Sequence, residues 1–220
     1  AKIIKPGIQT DTIDKLCYEY IKDCGAYSAP LFYRGFPKSC CTSTNHIVCH
    51  GIPSNKILKE GDIVNVDVTA LKDGWHGDTS RTFEIGEVSI KAKKLVKTTY
   101  DAMMKAIKIV KEDIHLGDIG ATIQHHVEAE GFSVVQDFCG HGIGKHFHEE
   151  PNVLHYGKKG TGEKIKAGMI FTIEPMINFG KYETKTLNDG WTAVTKDKSL
   201  SAQFEHTIGV TKNGYEIFTL

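Results

Sequence analysis

The chain has 220 residues, 40% of them hydrophobic, enough for one large domain or two fused halves with a sizeable core, which excludes a disordered chain. Its 27 basic residues balance 27 acidic ones, leaving no footprint for a general nucleic-acid binder. No apolar run is long enough to cross a bilayer and the opening Ala1-Lys2-Ile3-Ile4-Lys5-Pro6-Gly7 is no secretory signal, so a cytoplasmic protein with no membrane contact is expected.

The spacing of Ile13, Leu16, Cys17, Tyr20 and Ile21 predicts an amphipathic helix over Thr10 to Asp23, with Gly25 placed to end it. A strand follows in which Val64, Val66, Val68 and Ala70 make one apolar face while Asn65, Asp67 and Thr69 point the other way. After the turn signal Lys72-Asp73-Gly74, the next strand carries Asp78, Ser80 and Thr82 on one face. Two more helices are predicted, Ser89 to Lys111 through Leu95, Tyr100, Met103, Ile107 and Val110, and Asp118 to Glu130 through Ile119, Ile123 and Val127. Beyond the turn Asn188-Asp189-Gly190 a late strand places Gln203, Glu205 and Thr207 on one face, and Lys212-Asn213-Gly214 marks a last turn. Helices and strands mixed within each half give an α+β class. The six cysteines form no CxxC pair and read as reduced thiols.

Two distant stretches repeat one pattern. Cys49-His50-Gly51-Ile52 precedes Gly61-Asp62-Ile63-Val64-Asn65-Val66-Asp67, and Gly140-His141-Gly142-Ile143 precedes Gly168-Met169-Ile170-Phe171-Thr172-Ile173-Glu174, so Asp67 and Glu174 occupy matching places. The repeat extends to the helices, since Lys5, Ile8, Ile13, Ile21 and Gly25 align at a fixed offset with Lys111, Ile114, Ile119, Val127 and Gly131. No linker divides the copies. The expectation is a single domain over residues 1–220, with halves of approximately 1–100 and 101–220 sharing one sheet.

Any one of Asp67, Asp78, Glu174 and Glu205 reads alone as an acid on a solvated strand face, and any single histidine as a packed or surface residue. That plain reading is kept for His46, His76, His115, His125, His126, His146, His155 and His206. Four acids embedded with His141 in segments this apolar are different, because buried carboxylates without counter-charge are too costly to ionise together. A divalent cation removes that penalty. Oxygen-rich sites with one imidazole suit Mn, Fe, Co or Zn, and bridging carboxylates hold two such ions about 3.5–4 Å apart.

The segments Gly61 to Thr69, His76-Gly77-Asp78-Thr79-Ser80, Gly140-His141-Gly142-Ile143-Gly144, Phe147-His148-Glu149-Glu150-Pro151, Phe171-Thr172-Ile173-Glu174-Pro175-Met176 and Ser201-Ala202-Gln203-Phe204-Glu205-His206-Thr207 closely resemble type I methionine aminopeptidases, over nearly the whole chain. The resemblance implies the pita-bread fold, two pseudo-symmetric halves sharing a curved antiparallel sheet with helices on the outer face. It implies two divalent ions (Co, Mn, Fe, Zn or Ni) held by Asp67, Asp78, His141, Glu174 and Glu205, with Asp78 and Glu205 as bridges. Glu174 would accept the proton, His148 stabilise the oxyanion and His50 assist at the scissile amide. A methionine pocket of Tyr33, Phe36, Cys41, His50, Phe147 and Trp191 follows from the same likeness. The implied activity is removal of the initiator methionine from nascent polypeptides when the second residue is small, by a monomer that associates transiently with ribosomes in a bacterial or organellar cytoplasm.

Two departures accompany the resemblance. The family's helix ahead of Lys5-Pro6-Gly7 is expected to be missing, and His46 stands where bacterial relatives commonly carry an acid. The alternatives are an X-Pro aminopeptidase or prolidase-like hydrolase, whose usual extra N-terminal domain is not in the sequence, and a non-catalytic pita-bread binding module, which typically loses ligands. Type II methionine aminopeptidases insert a helical subdomain for which the stretch between Glu174 and Glu205 leaves no room.

Overall fold

Alternation and turn chemistry produce the central hairpin where the sequence predicts it. Ile63–Lys72 pairs antiparallel with Trp75–Glu84, and the connecting Asp73 and Gly74 both have positive φ (51° and 81°), the geometry that matches strand twist across a tight turn. The structure, a computed structural model, describes residues 3–219; Ala1, Lys2 and Leu220, the ends of the expected domain, lie outside them. Around the hairpin a 9-stranded antiparallel sheet runs from Tyr27–Ser28 through Ile63–Lys72, Trp75–Glu84, Glu205–Thr211, Ile170–Ile173 and Gly140–Gly142 to Glu149–Val153, with Cys41–Thr44 and Gly214–Ile217 paired alongside. The halves join where Glu205 pairs with Ser80. The fold is thus the α+β, pita-bread arrangement expected, with two small three-stranded sheets added.

Among the described residues three α-helices cover the sheet: α1 (Thr10–Asp23), α2 (Ile90–Ile109) and α3 (Leu116–Ala129). Both copies of the repeat end their helices alike. Gly25 N–H donates to Lys22 and Ala26 N–H to Ile21, and equivalently Gly131 donates to Glu128 and Phe132 to Val127. Gly25 and Gly131 sit at φ 69° and 83°, so glycine is the residue that closes each helix without backbone strain.

Val64, Val66 and Val68 pack under Ile13 and Leu58. The larger cluster joins Leu95, Met103 and Ile107 of α2 with Ile119, Ile123 and Val127 of α3 and with Phe171 and Ile173 of the sheet. Each such side chain, once fully buried, contributes about 1.5–3 kcal/mol.

The expected stripe on α1 is narrower than its spacing suggests. Ile13 and Ile21 are buried, but Leu16 and Tyr20 face outward at 39% and 73% exposure, because only one edge of α1 meets the sheet. α3 also begins ahead of the expected Asp118, whose carboxylate instead accepts the His115 N–H at 2.8 Å and caps the first turn.

Gly120 lets α3 lie directly on the Leu154–Tyr156 backbone: a Cβ there would stand 2.4 Å from the Tyr156 carbonyl oxygen and 2.7 Å from that of Leu154. Alanine ordinarily gains about 1 kcal/mol over glycine inside a helix. Gly120→Ala is nevertheless expected to destabilise by about 1–3 kcal/mol, since backbone cannot step aside. Thermal unfolding checks this, and an unchanged or higher Tm would contradict it.

Candidate metal centre and substrate cavity

The five ligand-type side chains arrive from five separate stretches of the sheet. Asp67 lies on Ile63–Lys72, Asp78 on Trp75–Glu84, His141 on Gly140–Gly142 and Glu205 at the start of Glu205–Thr211, while Glu174 follows Ile170–Ile173. Register sets them side by side, with Asp67 opposite Ser80 and Ser80 opposite Glu205. Ligand atoms of Asp78, His141 and Glu205 all come within 4.8 Å of one another. His141 Nε2 lies 3.9 Å from Asp78 Oδ2 and 3.6 Å from Glu174 Oε1.

Neighbouring side chains fix these groups. Thr69 Oγ1 donates to Asp78 Oδ1 at 2.8 Å, and the Asp78 N–H donates to Thr207 Oγ1 at 2.9 Å. Thr172 Oγ1 accepts from the His141 N–H and donates to Glu174 Oε1 at 2.7 Å; Gln203 Nε2 donates to Glu174 Oε2 at 3.3 Å. His141 Nδ1 stands 3.0 Å from the Gly142 carbonyl. A carbonyl only accepts, so Nδ1 carries the proton and the Nε2 lone pair faces the carboxylates.

Burial holds His141 below its ordinary pKa, the Gly142 carbonyl partly opposing it, so the ring is neutral, the form a metal ligand needs. Burial raises Asp67 to about 7, with a hydrogen bond from Asp78 opposing, and Glu174 to about 8, with Thr172 opposing. Burial also pushes Asp78 and Glu205 well up, and the neighbouring acids add to it. Among the described residues no lysine or arginine forms an ion pair with any of these four acids. Four carboxylates without a cationic side chain, beside a neutral imidazole whose free lone pair faces them, fit divalent metal.

A stability profile follows for the metal-free protein. Asp67 and Glu174 bind protons in the folded state well above their ordinary 3.8 and 4.5, so their contribution is full below those values and is lost as pH rises through about 7 and about 8. The buried neutral histidines act oppositely, but above their ordinary 6.5 their effect is complete. Above about pH 6.5 the chelator-treated protein should lose about 1.4 kcal/mol per pH unit for each proton still held, the Asp67 contribution ending near pH 7 and that of Glu174 near pH 8. Calorimetry with and without divalent metal checks this; a Tm that rises over that range without metal would contradict it.

All the other expected site residues line the same cavity of about 370 Å³: Tyr33, Phe36, Cys41, His50, Phe147, His148 and Trp191. The Tyr33 hydroxyl lies 3.1 Å from His148 Nδ1, and the His148 ring stands 4.2 Å from that of His141. Loss of solvent, with His141 and Arg34 nearby, lowers the pKa of His148 and keeps it neutral. His50 sits at φ 56°, its ring edge-on to Phe138 at 5.5 Å and Trp191 at 6.2 Å. A Cβ on the following Gly51 would stand 2.3 Å from the Thr42 carbonyl oxygen, so glycine is required there.

Several supporting residues escaped the sequence reading. His155, read as an ordinary packed histidine, is 1% exposed and its Nε2 accepts the Glu174 N–H at 3.1 Å. The sequence contains no signal for it, since Val153 and Leu154 are both apolar and only the structure turns the first inward and the second outward. Asp189, noted only as part of a turn, accepts from the Trp191 and Thr192 N–H groups and holds the loop that carries Trp191. Asp14 Oδ1 accepts from Ser39, which ties the segment before Cys41 to α1.

This constellation on this sheet belongs to a metallopeptidase class, and the chain is a member of metallopeptidase family M24, whose model matches residues 1–212. It is 56% identical over 219 residues to the methionine aminopeptidase of Escherichia coli (strain K12), covering 99% of this chain and 83% of that protein. The crystal structure of methionine aminopeptidase from Rickettsia prowazekii superposes with a TM-score of 0.98 at 58% identity, covering 100% of this chain and 89% of that one. A prolidase from Pyrococcus furiosus, 21% identical with a TM-score of 0.74 over 99% of this chain and 57% of its own, shows the shared fold alone.

Proposed function

We propose that this chain is a metal-dependent exopeptidase that releases the first methionine from polypeptides whose second residue is small. One observation carries the reading: a single cavity combines four acids and a neutral imidazole with an aromatic wall sized for a flexible apolar side chain. The described residues, 3–219, act in this reading as a single catalytic domain.

Asp67, Asp78, His141, Glu174 and Glu205 are the groups that would hold two divalent cations, which when bound would supply Lewis acidity and a water acidic enough to attack near neutral pH. Glu174 takes up the proton, its two oxygens oriented by Thr172 and Gln203. If the Tyr33 hydroxyl donates to His148 Nδ1, the ring proton is left on Nε2, which donates to the scissile carbonyl oxygen as negative charge builds there. His50, held neutral by burial, assists at the amide from the wall it forms with Phe138 and Trp191. Tyr33, Phe36, Cys41, Phe147 and Trp191 receive the thioether, where sulfur–aromatic contacts contribute about 0.3–1.5 kcal/mol.

Nascent-chain N-termini are the substrates in this reading, the protein acting as a monomer in the cytoplasm with transient ribosome association. Among the described residues no helix is long and apolar enough to cross a membrane, which agrees with that setting. A panel of Met-Ala-Ser, Leu-Ala-Ser, Met-Leu-Ser and X-Pro peptides tests the specificity. Met-Ala-Ser should exceed Leu-Ala-Ser by about 10-fold or more in kcat/KM, the scale of an imperfect apolar fit. Equal turnover of the two, or faster X-Pro cleavage, would move the reading to the prolidase-like alternative.

A further inference from the structure

Apart from the metal-ligand carboxylates, the charged side chains lining the cavity are Arg34 and Asp137. Asp137 is engaged, its Oδ2 accepting from Thr184 Oγ1 at 2.6 Å. Arg34 is exposed, and among the described residues no carboxylate lies within ion-pair distance of it.

The local backbone aims it there. Phe32 and Arg34 flank Tyr33 at φ 68° and 48°, the left-handed region that side chains other than glycine rarely occupy. The Arg34 guanidinium carbon then lies 5.3 Å from the centre of the Tyr33 ring, which itself stacks 5.2 Å from the His148 ring.

We propose that Arg34 is a specificity-determining residue that favours substrates carrying an acidic side chain at the third position. This rests on the reading that the first peptide bond is cleaved beside His148. The two ring separations put the guanidinium no farther from the His148 ring than about three residue lengths of extended chain, at ~3.3–3.6 Å each, which brings a third-position side chain within its reach. The first side chain is enclosed in the aromatic wall and the second must be small, so the third is the first free to carry a charge towards the guanidinium. Arginine suits the task because its planar fork stays charged and pairs with carboxylates in two places.

The test uses Met-Ala-Asp-Leu, Met-Ala-Gln-Leu and Met-Ala-Lys-Leu with amidated C-termini, so that only the third side chain differs in charge. At low ionic strength the metal-loaded protein should turn over the Asp peptide about 3- to 10-fold better than the Lys peptide in kcat/KM, the scale of one exposed ion pair gained against one like-charge contact. Added salt should shrink the ratio. Arg34→Gln should bring it to about one, Arg34→Lys should retain the order and Arg34→Glu should reverse it. A flat series in the unsubstituted protein, or the same order in Arg34→Gln, would overturn the inference while leaving methionine release intact. No methionine release from any of the three would overturn the reading it rests on, and the inference with it.

Discussion

Asp78→Asn is expected to lower kcat/KM by about 10³-fold, because in the proposed site the Asp78 carboxylate would help to hold the cations and several kcal/mol of transition-state charge stabilisation would depend on them. Asp78 is 4% exposed, with one oxygen committed to Thr69 and the other facing His141. The amide can still accept from Thr69, but it has no charge and brings N–H donors to a place that calls for an anion. Metal content should fall with activity. The metal-free variant should at the same time be no less stable than the metal-free parent, since burial and the neighbouring acids already favour an uncharged group at this place. Loss of metal and activity without loss of stability separates removal of a ligand from general damage to the fold. Wild-type turnover of Met-Ala-Ser with normal metal content would remove Asp78 from the site.

His148→Ala is expected to behave differently, lowering kcat by about 10²–10³-fold with metal content unchanged, the effect of losing one donor aimed at developing charge. The His148 ring packs on those of Tyr33, His141 and Phe147 at the open side of the cavity, so its truncation should cost about 1 kcal/mol of stability, too little to unfold the protein. Metal titration and steady-state kinetics on one preparation distinguish the outcomes. Loss of metal would make His148 a ligand, and unchanged kcat with normal metal would make it an ordinary surface histidine.

The repeat was legible because it is written twice in local terms. Period-two alternation placed Asp67, Asp78 and Glu205 on faces that the structure turns towards one cavity, and Gly25 and Gly131 marked two helix ends that close alike. The resemblance supplied what alternation could not, namely His148 and the aromatic wall, which come from loops without periodicity. The supporting hydrogen bonds were illegible for a physical reason: Asn65 Nδ2 donates to the Gln203 carbonyl, and Asp78 to Thr207, across most of the chain's length. Local pattern contains no information about partners so distant. The outward-facing Leu16 and Tyr20 show the converse, since helical spacing identifies an apolar face but not how much of it the sheet reaches.

Release of free methionine from Met-Ala-Ser, measured on one preparation before and after chelation and again as divalent metal is titrated back, tests the central claim most directly. The account predicts no release from the stripped protein and recovery that saturates by two equivalents per chain when binding is tight. Full activity after exhaustive chelation, at a metal content far below one per chain, would contradict it.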